Sequence, residues 1–355
     1  MSQQFNGVQI LRFIAAMLVV VMHTTQAISI HITGQGAGEY WSSGSAGVDI
    51  FFVISGFVMA LSSRTPAPNA PARLAAAWLF IKRRLLRIAP LYWFYTLLKV
   101  ALMLALPALA QRSSFDAGHL VASLLFFPTM SPWGLIEPAL PVGWTLNYEM
   151  LFYALFALAL AWGLPRIRFC VLAFGLIFIA GHFAPESVTL AFYARPIVLE
   201  FVLGMGIAHA LLHYRQATPA IGLLTAVAGL LYMFGISWDV ETDRLISWGL
   251  GAALLVLGAV WLEPWTAQRR LAAPLSFLGD ASYSIYLSHT FVVPAGVLVF
   301  KRLGVQDSLV IVPAVALAVL VAGCLSYVWL ERPMTQFLKR VLFPRPALSS
   351  PVSGK

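Results

Sequence analysis

Residues Gln9–Thr24 read QILRFIAAMLVVVMHT, an apolar run interrupted by Arg12 and His23. Eleven residues separate the two. On a helix that is three turns plus about 20°, so both side chains share one face, roughly 16 Å apart along the axis. A guanidinium and an imidazole are costly inside a bilayer. Where they occur they face a bundle interior or a wet cavity and mark a site. The rest of the chain reads as the shell around this pair.

The composition supports a membrane setting. The chain has 355 residues, 60% of them hydrophobic and only 10% charged, with mean hydropathy +0.83. Soluble domains carry about a quarter charged residues. The net charge of +9 does not point to nucleic acid, because the bases sit between apolar spans, where topology accounts for them. Cys170 and Cys324 fall inside apolar runs and read as small buried hydrophobes, with no metal-ligand spacing. Residues 1–9 lack Lys and Arg, and many spans follow, so the first run reads as an uncleaved transmembrane helix.

Apolar periodicity predicts an all-α, polytopic bundle of about ten helices. The expected spans are 9–29, 45–62, 88–108, 143–162, 168–184, 195–212, 219–237, 245–262, 275–300 and 309–330. Most Lys and Arg fall in 63–87, 163–167, 213–218, 263–274 and 331–355, which places both termini in the cytoplasm. The loop 63–87 ends in IKRRLLRIAPLYW, a basic helix meeting the membrane. FFPTMSPW, in the longest outer loop, is too short to span and reads as re-entrant or interfacial. Residues 1–335 form the membrane domain, and the Pro- and Ser-rich tail 336–355 reads as disordered.

With that orientation, His23, Asp49, Glu149, Glu200 and His289 fall in one outer layer, contributed by five helices. Asp280 is a further acid within a span. Arg12 and the Arg83/Arg84/Arg87 cluster lie on the inner side. Any one such residue can be a structural hydrogen-bonding group between helices. Five at one depth imply a polar chamber open to the outside with a basic cytoplasmic mouth. HALLH (His209, His213) has metal-like spacing but no zincin glutamate, and reads as interfacial. GMG (Gly204–Gly206) lacks a strand–turn–helix context and reads as helix packing.

In order along the chain these segments resemble the membrane acyltransferase-3 family. Arg12 and His23 match its R-x10-H motif, and GSAGVDIFFVISGF (44–57) is similar to its second-helix signature. Arg84 and Arg87 match R-x-x-R, and VGWTLNYEMLFY (142–153) resembles its W-[ST]-L-x-x-E segment. LGDASYSIYLSH (278–289) and YVWLERP (327–333) resemble its last two signatures. The opening GVQILRFIAAMLVVVMH is most similar to the exopolysaccharide acetyltransferase branch. The SGNH-type hydrolase domain that a common variant carries after its last span is not expected here.

The resemblance implies an integral O-acyltransferase of a bacterial cytoplasmic (inner) membrane. It would move an acetyl group from cytoplasmic acetyl-CoA to a hydroxyl of an exopolysaccharide or lipid-linked sugar, beside polysaccharide synthesis or export machinery. Arginine forks suit the phosphates of CoA, which places Arg12, Arg84 and Arg87 at the donor. His23 would be general base or acyl carrier, with Asp49, or else Glu149, orienting it. Tyr286 and His289 share a face and can serve the thioester oxygen or the sugar, with Tyr283 off that face. Trp144 can stack on a sugar ring or sit as an interfacial aromatic. No metal is expected. The rival readings are a flippase or proton-coupled transporter and a scaffold subunit of a synthase; a transporter would show inverted repeats.

Reporter fusions test the orientation: one at residue 35 is expected to report an outer location and one at residue 75 a cytoplasmic one. A cytoplasmic signal at 35 would invert the topology.

Overall fold

The computed structural model describes residues 5–34, 40–62, 69–106, 115–213, 217–236, 244–268 and 272–343. Parts of the basic segments 63–87, 213–218 and 263–274, and the tail beyond Phe343, lie outside them.

Each expected span is helical over most of its described residues. The helices are α1 (Asn6–Ile28), α2 (Ala46–Ser62), α3 (Ala70–Ala105), α4 (Ala117–Leu124), α5 (Trp144–Trp162), α6 (Arg166–Phe183) and α7 (Val188–Tyr193). They continue as α8 (Leu199–His213), α9 (Pro219–Phe234), α10 (Leu250–Trp261), α11 (Ala272–Asp280), α12 (Ser282–Arg302), α13 (Ser308–Ser326) and α14 (Arg332–Leu342). Among the described residues, eight helices are long and apolar enough to cross a membrane, and two shorter apolar ones, Pro219–Phe234 and Leu245–Trp261, bring the number to ten. The protein is an all-α polytopic bundle.

Local chemistry explains the ends. Asn69 caps α3 by accepting from the Ala72 amide at 2.9 Å, and Asp307 caps α13 through Leu309 at 2.8 Å. α5 stops at Gly163, whose φ of +71° most residues avoid. α3 has 36 residues, about 54 Å of helix, so the basic stretch and the span are one rod longer than the bilayer core. FFPTMSPW follows α4 as a turn with Phe126 at φ +58° and a bridge between Met130 and Ile136. The span expected over 275–300 is interrupted at Ala281, between α11 and α12. α14 runs past residue 335, the boundary expected from sequence, as far as Leu342.

α1 lies at the centre, packed by α2, α11, α12 and α13, and α2 in turn packs on α8 and α10. Small residues allow these backbones to touch. A Cβ on Gly204 would lie 1.9 Å from the Val53 carbonyl oxygen, and one on Gly56 2.0 Å from that of Phe201. The reading of Gly204 as a packing residue is correct. Gly206 is exposed with no atom near, so it takes no part.

The pair supplies an internal control. Gly204→Ala is expected to destabilise the protein by about 1–3 kcal/mol through overpacking, and Gly206→Ala to change little. Thermal unfolding in detergent measures both, and equal effects would remove the α2–α8 contact as a determinant of stability.

Candidate active site

The expected single layer of five ionisable groups divides into three clusters. Gly44, at the entry to α2, lies against Met22 of α1, beside His23. Asp49 comes five residues later and is thus roughly 7 Å nearer the Arg12 end. Ser55, another turn and a half along α2, donates to Glu149 at 2.7 Å. Glu149 therefore belongs with Arg12 rather than with His23.

The first cluster surrounds Asp49. Arg244 holds it with two bonds, Nε to Oδ1 at 3.0 Å and Nη2 to Oδ2 at 2.8 Å, and also reaches the Ser45 carbonyl at 3.2 Å. Asp49 is fully buried, as is Glu200 beside it. The orienting bond expected from Asp49 to His23 is not made: Asp49 lies below the level of His23 and is held by Arg244 instead. Glu149 does not make it either: its Oε1 accepts from Ser55 and from Tyr153.

The second cluster is the histidine pair. His23, half-buried, stacks on the buried His289 with ring centroids 5.0 Å apart and planes 25° from parallel. His23 Nδ1 lies 3.3 Å from Gln26 Oε1, so the group that orients it is one turn away on its own helix. Neither ring nitrogen of His289 has a hydrogen-bond partner. Tyr286 meets the His289 ring edge-on at 5.7 Å.

The third is a cleft of about 830 Å³, including its open mouth. Arg12, Arg84, Arg87, Glu149, Tyr153 and Tyr283 give it a polar side, while Phe51, Ile54, Val58 and Met59 give it an apolar one. Tyr286 also lines it, but neither histidine does. The Tyr286 hydroxyl donates to the Val142 carbonyl at 3.0 Å and lies 3.2 Å from Thr145 Oγ1. Its proton is thus engaged at the start of α5 rather than directed at a ligand. Tyr283 lines the cleft one turn from Tyr286, with its hydroxyl on the Ile88 carbonyl at 2.8 Å, and stays off the face that Tyr286 shares with His289. Trp144 packs edge-on against Phe52 and Tyr148 in an aromatic cluster beside the cleft.

The sequence reading missed Arg244, Tyr153, Ser55 and Glu331. Glu331 is buried where a π turn, Tyr327–Glu331, joins α13 to α14. Its Oε1 accepts from Arg87 and its Oε2 from Ser284 at 2.7 Å. His209 and His213 stack on each other, and no group of three or more metal-ligating side chains occurs among the described residues.

A family model described as an acyltransferase domain matches residues 5–328. The chain belongs to that family and is an integral membrane O-acyltransferase. It is similar to the exopolysaccharide production protein ExoZ of Rhizobium meliloti (strain 1021), 39% identical over 306 residues, 84% of this chain and 91% of that one. It is also similar to the acyltransferase MdmB of Streptomyces mycarofaciens, 28% identical over 382 residues, 96% of this chain and 93% of that one. No solved structure gives a significant match.

Removing one member of a buried ion pair strands the other. Asp49→Ala is expected to cost about 3–5 kcal/mol, and Asp49→Leu combined with Arg244→Met to recover most of it. Thermal unfolding of the three proteins reads this directly; an Asp49→Ala protein as stable as wild type would show that the pair contributes nothing.

Proposed function

We propose that the protein transfers an acetyl group from acetyl-CoA to a hydroxyl of an exopolysaccharide or its lipid-linked precursor, at the cytoplasmic membrane of a bacterium. The observation that carries this reading is the arrangement of the cleft. Three arginines flank it, and it ends at Tyr286, one ring from His289 and two from His23. The similarity to an exopolysaccharide production protein supports the choice of acceptor.

CoA carries its charge at one end and its thioester at the other, joined by a long flexible arm. The arginine end of the cleft suits the phosphates. The apolar wall formed by Val48, Phe51, Ile54, Val58 and Met59 suits the arm. Arg12 and His23 are roughly 16 Å apart along an unbroken helix, a span of the right order for such an arm. That places the thioester near the histidines. Both termini, the arginine mouth and the donor then lie on the cytoplasmic side.

His23 acts as general base. A proton on Nδ1, given to Gln26, leaves Nε2 as the acceptor. Nε2 takes the hydroxyl proton as the sugar oxygen attacks the thioester carbonyl. The C–S bond breaks, the ester forms, and the proton passes to the departing thiolate. His289, buried against His23, fixes the plane of the base and, together with Tyr286, separates the cleft from the acceptor side. Glu149 holds Ser55 and Tyr153 in the cleft wall rather than taking part in proton transfer.

Proton NMR of surface polysaccharide tests the reading in three strains: a deletion, the deletion carrying wild type, and the deletion carrying His23→Ala at matched expression. Acetyl signals are expected to return with wild type alone. Equal restoration by His23→Ala would remove His23 from the chemistry. Unchanged acetylation with altered polymer export would favour the transporter.

A further inference from the structure

The three arginines of the cleft are not equivalent. Arg87 is bound to the buried Glu331, whose second oxygen is held by Ser284. Arg84 is bound only through Nη2, to the Ser62 hydroxyl at 3.0 Å, and its buried Nε has no partner. Arg12 has a single long contact, 3.5 Å to Gln9 Oε1. Among the described residues, no carboxylate lies within ion-pair distance of Arg12 or Arg84. Two guanidinium groups with unused donors therefore face the same cleft, and the third is neutralised.

We infer that Arg12 and Arg84 hold the phosphates of the donor, and that Glu331 withdraws Arg87 from this role and makes it a positioning residue. A guanidinium already satisfied by a carboxylate has little to offer a phosphate. Its remaining N–H groups can still donate, but the carboxylate beside it cancels most of the attraction for an anion. What Arg87 does instead is mechanical. It ties α3 to the π turn between α13 and α14, and through Ser284 the same carboxylate reaches the first turn of α12. Tyr283, which lines the cleft, is the neighbour of Ser284. The extra residue in the π turn is what directs Glu331 inward, since π turns re-aim a side chain where a regular helix would carry it past. Glu331 thus sets both the charge of the cleft and the position of its wall.

This inference rests on the reading that the cleft takes a CoA thioester, and one binding series separates the two. The probe is CoA itself, measured by calorimetry on detergent-solubilised full-length protein, with thermal unfolding run in parallel. Arg84→Met and Arg12→Met are each expected to weaken binding about tenfold or more. Arg87→Met with Glu331→Gln, which removes both charges and keeps an acceptor for Ser284, is expected to bind CoA within about threefold of wild type. Glu331→Gln alone frees Arg87, so it is expected to bind CoA more tightly, with a steeper loss of affinity on adding salt. A purely structural ion pair would not produce that gain. Weaker CoA binding by a folded Glu331→Gln protein, or loss in the double variant equal to that in Arg84→Met, would overturn the inference and leave CoA binding intact. Wild type that fails to bind CoA would overturn the donor assignment and the inference with it.

Discussion

An ion pair between helices of a bilayer-spanning bundle forms only where the right helices are neighbours, and two such pairs among the described residues organise this protein. Arg244 closes on Asp49 and joins the start of the α10 segment to α2. Arg87 closes on Glu331 and joins α3 to the end of α13. Each pair links elements far apart in sequence. Ion pairs of this kind add little net stability over apolar packing, but they penalise any arrangement that separates the partners. They fix which helices are neighbours, while glycine contacts such as Gly204 on Val53 and Gly56 on Phe201 fix how closely those neighbours approach.

Among the polar groups left over after this pairing are the arginines and histidines of the proposed site. Arg12 and Arg84 keep unused donors on one side of the bundle. His23 and His289 stand together on the other, with the nitrogens of His289 unpartnered. The boundary between them is Tyr286. Its ring lines the cleft, its edge meets His289, and its hydroxyl is anchored to the turn that opens α5. This ring is common to the cleft and to the histidine pair.

Much of this was legible in the sequence because its signals are local. Apolar run lengths located the helices, and the eleven-residue spacing put Arg12 and His23 on one face of an unbroken helix. Depth was less legible. Counting residues from approximate span limits put Asp49, Glu149 and His23 in one layer. The 3₁₀ turn at Ser42–Ser45 starts the second helical segment earlier than the expected limit, and Gly44 rather than Asp49 lies at the level of His23. Partners were not legible at all. Arg244 stands at the edge of an acidic loop and gives no sign in sequence that it reaches back to residue 49. Glu331 looks like one acid in a basic terminal segment until the π turn directs it inward.

The same limit bears on α12, where Tyr283 lines the cleft but stands off the face shared by Tyr286 and His289. Tyr283, Tyr286 and His289 are spaced three and three, and on a regular helix successive steps of three drift by about 60° each. A face that holds the middle residue can include either neighbour, and the sequence cannot choose between them. The structure shows that both choices are realised at different depths: Tyr283 and Tyr286 share the cleft, and Tyr286 and His289 share the histidine side. The drift carries α12 from one compartment into the other. Tyr286, the residue common to both, is therefore the place where a change of side-chain size would alter the passage between arginines and histidines without replacing any of them.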